Sequence, residues 1–238
     1  MIRIICPQDP TIRSVERQGR RLDRWLNAAS RIYVVLPNDD SKYKCLNFIR
    51  TWNNDDLIVF MGHGRSDALI GSRGRLFDMI GGDDAKDKDS EDYYDDERFI
   101  DEHNYDLLAG KSIVAFACQT DSLAQKLVEA GARAVVGFGK MPTSQLELEE
   151  DAHITERISK TMIAYINGAL NVAFRDAFYM AHRMQGEIAD VAVYFKMEIR
   201  RQVSLLLHSK AKYRYSMATV LYDIAKTVKV VGDKKVKV

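Results

Sequence analysis

Two side chains able to do covalent chemistry stand at the ends of two apolar runs. Leu57-Ile-Val-Phe-Met-Gly leads into His63-Gly64, and Ser112-Ile-Val-Ala-Phe-Ala leads into Cys118-Gln119-Thr120. A thiol becomes a useful nucleophile when an imidazole takes its proton or favours its ionisation, which requires proximity in space and not in sequence. Each run has strand length and stops on the reactive residue, so neighbouring places in one parallel sheet bring imidazole and thiol to the same edge. Open parallel sheets bind ligands at that edge, outside the carboxyl ends of the strands. Gly62 and Gly64 let a tight turn approach a substrate, and the Gly64 and Cys118 amides are candidate donors to an oxyanion. A helix starting near Asp121 would lower the thiol pKa through its N-terminal amides and dipole. Taken singly, a strand-end cysteine is a small hydrophobe and Gly-His-Gly is a turn. The pair on successive strands is what points to catalysis. His103, His153, His182 and His208 have no comparable setting.

The flanking chain supplies elements to position such a pair. Ile2 to Cys6 reads as a buried strand stopped by Pro7 and Pro10, and 11–29 as a helix with Ile12, Val15, Leu22, Trp25 and Leu26 on one face. Residues 32–36 read as a second strand and 43–52 as a short helix before the His63 strand. After the Cys118 strand, 121–130 reads as a helix closed by Gly131, and 132–138 as another buried strand. Strands that are apolar on successive residues, alternating with helices, predict a parallel sheet covered on both faces. From Pro142 the pattern turns helical, over 145–167 and then from 169 to about 226 with a break near Gly186. Val228 to Val238 returns to strand character. The expected division is a peptidase-like domain over 1–185, a helical extension over 187–226 and a terminal strand or hairpin over 228–238. The acidic run 83–97, between the His63 and Cys118 strands, reads as a solvated loop, with an activation loop as the next reading.

Composition narrows the class. The chain has 238 residues, 46% of them hydrophobic, with 35 Lys and Arg against 34 Asp and Glu. A net charge of +1 gives no general case for binding nucleic acid or a membrane surface. Cys6, Cys45 and Cys118 are odd in number and widely spaced, which suggests neither a disulfide framework nor a zinc site and fits a reducing cytoplasm. The start of the chain lacks a basic region followed by a long apolar one, and no apolar run reaches the ~20 residues of a membrane span. No glycine-rich loop follows the first strand, which disfavours a nucleotide-binding doubly wound domain.

Phe60-Met-Gly-His63-Gly64 and Ala115-Phe-Ala-Cys118-Gln-Thr120, followed by Leu123-Ala and Gly131-Ala-Arg-Ala-Val-Val-Gly137, resemble the caspase-like cysteine peptidases, specifically the bacterial CHAT branch. Tyr165-Ile-Asn-Gly168 with Ala173-Phe-Arg-Asp-Ala177 is similar to that family's later helix pair, and the likeness runs in order across 55–180. It implies a caspase-like three-layer α/β/α sandwich with a mainly parallel central sheet, here with an added C-terminal helical element. It also implies a thiol protease with His63 and Cys118 as catalytic dyad, Gly64 and Cys118 amides as oxyanion hole, and an acyl-enzyme thioester. A protein substrate, an activating or regulatory subunit, and a regulated pathway such as antiviral defence or cell death follow from the same likeness, with no cofactor and no metal. Two departures stand out: Asp121 occupies a place where relatives often carry Gly, and Phe116 one where metacaspases carry Asp. Asp9 and Asp121 are candidates for an acidic pocket that would receive a basic residue. The alternative function is a caspase-like module without turnover, acting as an interaction or signalling scaffold.

Overall fold

The computed structural model describes residues 1–9, 12–71, 98–141 and 160–238. Within them the chain runs β1 (Ile2–Pro7), α1 (Arg13–Leu26), β2 (Ser30–Val35), α2 (Asp39–Thr51), β3 (Leu57–Met61), β4 (Leu69–Ile70), β5 (Arg98–Ile100), β6 (Ser112–Phe116), α3 (Thr120–Glu129) and β7 (Ala134–Gly137). It ends with α4 (Lys160–Arg183), α5 (Ile188–His208), α6 (Arg214–Thr227) and β8 (Lys229–Gly232). Six strands form one sheet in the order β2-β1-β3-β6-β7-β8. All its neighbours are parallel except β7 and β8. β4 and β5 make a separate antiparallel pair.

The apolar runs are continuous because both faces of the sheet are covered. Ile4, Cys6, Val59, Met61, Val114, Phe116 and Val136 face one core, shared with α1, α4, α5 and α6. Ile5, Ile58, Phe60, Ile113, Ala115, Ala117 and Val135 face the other, shared with α2 and α3. The fold is therefore a three-layer α/β/α sandwich around a mostly parallel sheet. Side chains alternate across a strand with period 2, so the parity of a residue decides its layer. His63 continues the parity of Met61 and Cys118 that of Phe116, which assigns both to the side of α1 and α4.

Helix ends follow local chemistry. Asn38 Oδ1 accepts from the Ser41 amide at 2.8 Å at the start of α2. α4 stops where Gln185 turns left-handed (φ 52) and the Gly186 amide returns to the Ala181 carbonyl at 2.8 Å. At the start of α5, the Glu187 amide donates to Asp190 Oδ2 at 2.7 Å.

Two expectations of the helical region are corrected. α4 runs unbroken through Gly168, whose helical position leaves nothing within 4 Å of where a Cβ would stand. Burial of Phe174 and Phe178, about 2–3 kcal/mol each, outweighs the ~1 kcal/mol that a helical glycine costs. The long final helix is two helices, divided at 209–213, where Tyr213 has φ 63. No Gly or Pro marks that break. The acidic run 83–97 and the expected helical turns of 145–159 lie outside the described residues.

Candidate active site

Cys118 sits on a strand-to-helix turn assembled by Thr120. The strand leaves the sheet through a three-residue turn in which the Ala117 amide bonds to the Ala115 carbonyl at 2.9 Å. The fully buried Thr120 hydroxyl lies 2.8 Å from the Ala115 carbonyl and 2.9 Å from that of Ala117, and accepts from the Phe138 amide at 3.0 Å. One side chain thus ties the ends of β6 and β7 to the first turn of α3. Gln119 takes the left-handed conformation, φ 57, to complete the reversal, at about 1 kcal/mol for a residue with a Cβ. Gly137 makes the packing feasible: a Cβ there would lie 2.2 Å from the Thr120 carbonyl oxygen. Cys118 is half-buried, and its Sγ accepts from the Met141 amide at 3.3 Å.

His63 is held by the neighbouring strand. The β3–β6 pairing extends one residue past Met61, with the Gly62 amide donating to the Phe116 carbonyl at 3.3 Å. The chain then folds back, with the Ile70 amide on the His63 carbonyl at 3.0 Å and the Arg65 amide on the Ala68 carbonyl at 2.8 Å. These bonds flank the Gly64–Leu69 pair, so the hairpin does not consume the Gly64 amide. Gly64 also passes close to the backbone of Cys118: a Cβ on it would lie 2.7 Å from the Cys118 carbonyl oxygen.

Behind His63 stands Asp9, just past the end of β1. Its side chain is fully buried, and Oδ2 lies 3.6 Å from His63 Nε2. That separation exceeds a hydrogen bond but is within ion-pair reach. The order β1-β3-β6 means that Asp9, His63 and Cys118 come from the carboxyl ends of three adjacent strands. The first connection leaves β1 toward β2 and later ones run to the other side, so Asp9 and His63 flank the point where strand order reverses.

His63 and Cys118 line one small pocket of about 40 Å³ with Gly62, Phe116 and Met141. α1 contributes Ser14 and Val15 to its wall, and α4 contributes Asn167, Leu170 and Asn171. Asn171 Nδ2 donates to Ser14 Oγ at 3.3 Å, linking the two helices at the pocket.

Asp9 and Asp121 face different partners. Asp9 faces His63, whereas Asp121 lies 3.4 Å from Lys229 and its amide bonds to the Phe138 carbonyl. Neither is among the residues lining the pocket. Asp9 carried a signal for its place beside the histidine, since it follows the apolar strand β1 as His63 follows β3. Ser14, Asn167 and Asn171 carried none, because their meeting depends on how α1 and α4 cross.

The other two cysteines are in different chemical situations. Burial pushes the Cys45 thiol up to about 12 and that of Cys6 higher still. Cys6 is packed beneath α1, where a Cβ on Gly19 would stand 2.5 Å from its Sγ. No described cluster of three or more His, Cys, Asp or Glu side chains is arranged to hold a metal ion. No described helix is long and apolar enough to cross a membrane.

No protein-family model matches the chain. No curated protein matches it either.

Proposed function

We propose that the chain is a cysteine endopeptidase of caspase-like, CHAT-type fold, with Cys118 as nucleophile, His63 as base and Asp9 as the group that orients His63. The observation that carries this reading is that three adjacent strand ends bring Asp9 to His63, and His63 and Cys118 to one pocket.

The Asp9 carboxylate favours the tautomer with the proton on Nε2, leaving Nδ1 as the base. Nδ1 takes the thiol proton, and the Met141 amide at Sγ favours the resulting thiolate. Sγ attacks the peptide carbonyl carbon, and the carbonyl electron pair moves to oxygen. The Gly64 amide stabilises that oxyanion together with the Cys118 amide. Collapse breaks the C–N bond, the imidazolium gives its proton to the leaving amine, and a thioester remains. Water, losing a proton to Nδ1, then attacks the thioester. The sulfur leaves and recovers that proton, releasing a carboxylic acid. By the family likeness the substrate is a specific protein, and the setting is a regulated one such as antiviral defence or cell death.

A thiol-directed peptidyl probe tests the reading. It labels Cys118 in the native protein, labelling is lost in Cys118→Ala, and the rate falls about 100-fold or more in His63→Ala. Equal labelling of Cys6 or Cys45 with none at Cys118 sinks it. Labelling of Cys118 that is indifferent to His63, without turnover of any peptide, favours the interaction module instead.

A further inference from the structure

We infer that the outer face of α1 binds the sugar-phosphate backbone of a single-stranded nucleic acid. The inference stands independently of the peptidase reading. Arg13, Arg17, Arg20, Arg21 and Arg24 are all exposed, and their spacing sets them along one side of the helix. Leu22 and Leu26, on the opposite side, are buried in the core. The +1 net charge of the chain conceals this segregation, because residues 72–97 and 142–159 alone carry 15 Asp and Glu against 5 Lys and Arg.

The helix does not neutralise this face itself. Arg20 pairs with Glu16 at 2.8 Å, while the Asp23 carboxylate accepts from the Ser30 hydroxyl at 2.8 Å. Arg17 and Arg24 donate to carbonyls of their own helix, those of Arg13 and Arg20, at 3.4 Å each. Among the described residues, Arg13, Arg17, Arg21 and Arg24 have no carboxylate partner. Arg13 with Arg17, Arg17 with Arg21 and Arg20 with Arg24 are like charges four residues apart, an arrangement that costs stability. A polyanion laid along the stripe removes that repulsion.

Length, aromatic content and the hidden apolar side select the polyanion. From Arg13 to Arg24 the stripe is about 16 Å long at ~1.5 Å per residue, over which one nucleic-acid strand presents about five phosphates. Trp25, one turn beyond Arg21, ends the stripe and is 45% exposed. Tyr179 stands edge-on to it at 5.0 Å between ring centroids, and the Arg175 guanidinium lies over its ring at 4.5 Å. An exposed aromatic beside a basic track stacks an unpaired base, which a duplex does not offer. A lipid surface takes up a helix by its apolar face, and that of α1 is turned into the core. A protein partner needs an apolar centre to its interface, which the arginine stripe lacks.

The test is fluorescence anisotropy of the full chain with a labelled oligothymidylate of about 20 nucleotides. Contacts from Arg13, Arg17, Arg21 and Arg24 predict a slope of log K against log salt of about −2.8, or ~50-fold weaker binding on going from about 50 to 200 mM salt. Joint Arg17→Gln, Arg21→Gln and Arg24→Gln lowers affinity at least ~10-fold and brings the slope to about −0.7, with the melting temperature not reduced. Joint Arg200→Gln, Lys210→Gln and Lys234→Gln removes the same charge from exposed positions elsewhere and changes affinity less than ~3-fold. Trp25→Ala weakens single-strand binding about 5-fold or more and leaves the slope unchanged. Equal losses in the two triple variants, an unchanged affinity in Trp25→Ala, or binding of a duplex or of polyglutamate as tight as that of the single strand overturns the inference. So does binding to phosphatidylserine vesicles without binding to the oligonucleotide, or no oligonucleotide binding at the lower salt. Labelling of Cys118 by the peptidyl probe is a separate readout, so either reading can fail alone.

Discussion

The two ends of the β1–β3 pair each hold a buried carboxylate facing a basic side chain, and they are built to opposite purposes. At the amino ends, Asp56 just before β3 meets Arg3 of β1, with Nε at 3.0 Å and Nη2 at 2.9 Å. Arg3 also donates to the Tyr33 hydroxyl at 3.2 Å and lies over the Trp52 ring. At the carboxyl ends the polarity is reversed: Asp9 follows β1 and His63 follows β3, 3.6 Å apart. A guanidinium never loses its charge and fills the carboxylate's acceptor sites, so the first pair locks strands together. An imidazole can both donate and accept a proton, so on the peptidase reading the second pair serves proton transfer. Proximity of a carboxylate to a base is common to both; the permanent charge and multiple donors of the guanidinium separate them.

Substitution of the two carboxylates is the strongest test of that contrast. If the chain is the proposed peptidase, Asp9→Asn is expected to lower peptide turnover about 100-fold or more while shifting the melting temperature little, because the amide keeps the volume but no longer favours the tautomer proposed as productive. Asp56→Ala is expected to do the reverse. It removes about 2 kcal/mol of stability by leaving Arg3 partly buried without its carboxylate, with turnover by the folded protein unchanged. Urea unfolding and single-substrate kinetics on both variants decide it, and equal effects on both readouts break the comparison.

Acid sharpens it further. Burial pushes the Asp56 carboxyl upward, but hydrogen bonds from the chain's amino group and Arg3 outweigh it and hold the group below its ordinary 3.8. The folded pKa therefore lies below the unfolded one. This contribution is present in full above the ordinary value and is lost as pH falls through the folded pKa. The urea midpoint of the native protein should drop below about pH 4, and Asp56→Ala should flatten that limb.

The smallest expected effect concerns the turn that presents Cys118. Gln119→Gly relieves a left-handed backbone and should raise stability by up to ~1 kcal/mol, partly offset by the entropy glycine gains when unfolded. A calorimetric melt measures the change. A clear loss would mean that the Gln119 side chain supports the turn by more than its strain costs.

Much of this architecture was legible along the chain. Leu57–Met61 and Ser112–Phe116 read as buried strands because consecutive apolar residues suit a sheet covered on both faces, and their ends named His63 and Cys118. Parity adds the side: two residues past Met61 and two past Phe116 fall on the same face, since the strands pair in register. The division of the last helices at 209–213 was not legible, because no glycine or proline marks it and the apolar spacing continues on both sides. Asp9 was legible only as a strand-end carboxylate, not as the partner of His63. In a chain with 34 acidic residues, a carboxylate after a strand has many readings until a neighbour is known.

What the sequence determined by itself is what depends on local periodicity: the strands, the helices that cover them, and which residue stands at each strand end. Tertiary structure decided what depends on contacts far apart in the chain. Asp9 lies 54 positions from His63, and Ser14 lies 157 from Asn171. Strand order brings the first pair together, and the crossing of α1 over α4 brings the second. Neither is a property of any short stretch, since each results from closing long loops around a shared core.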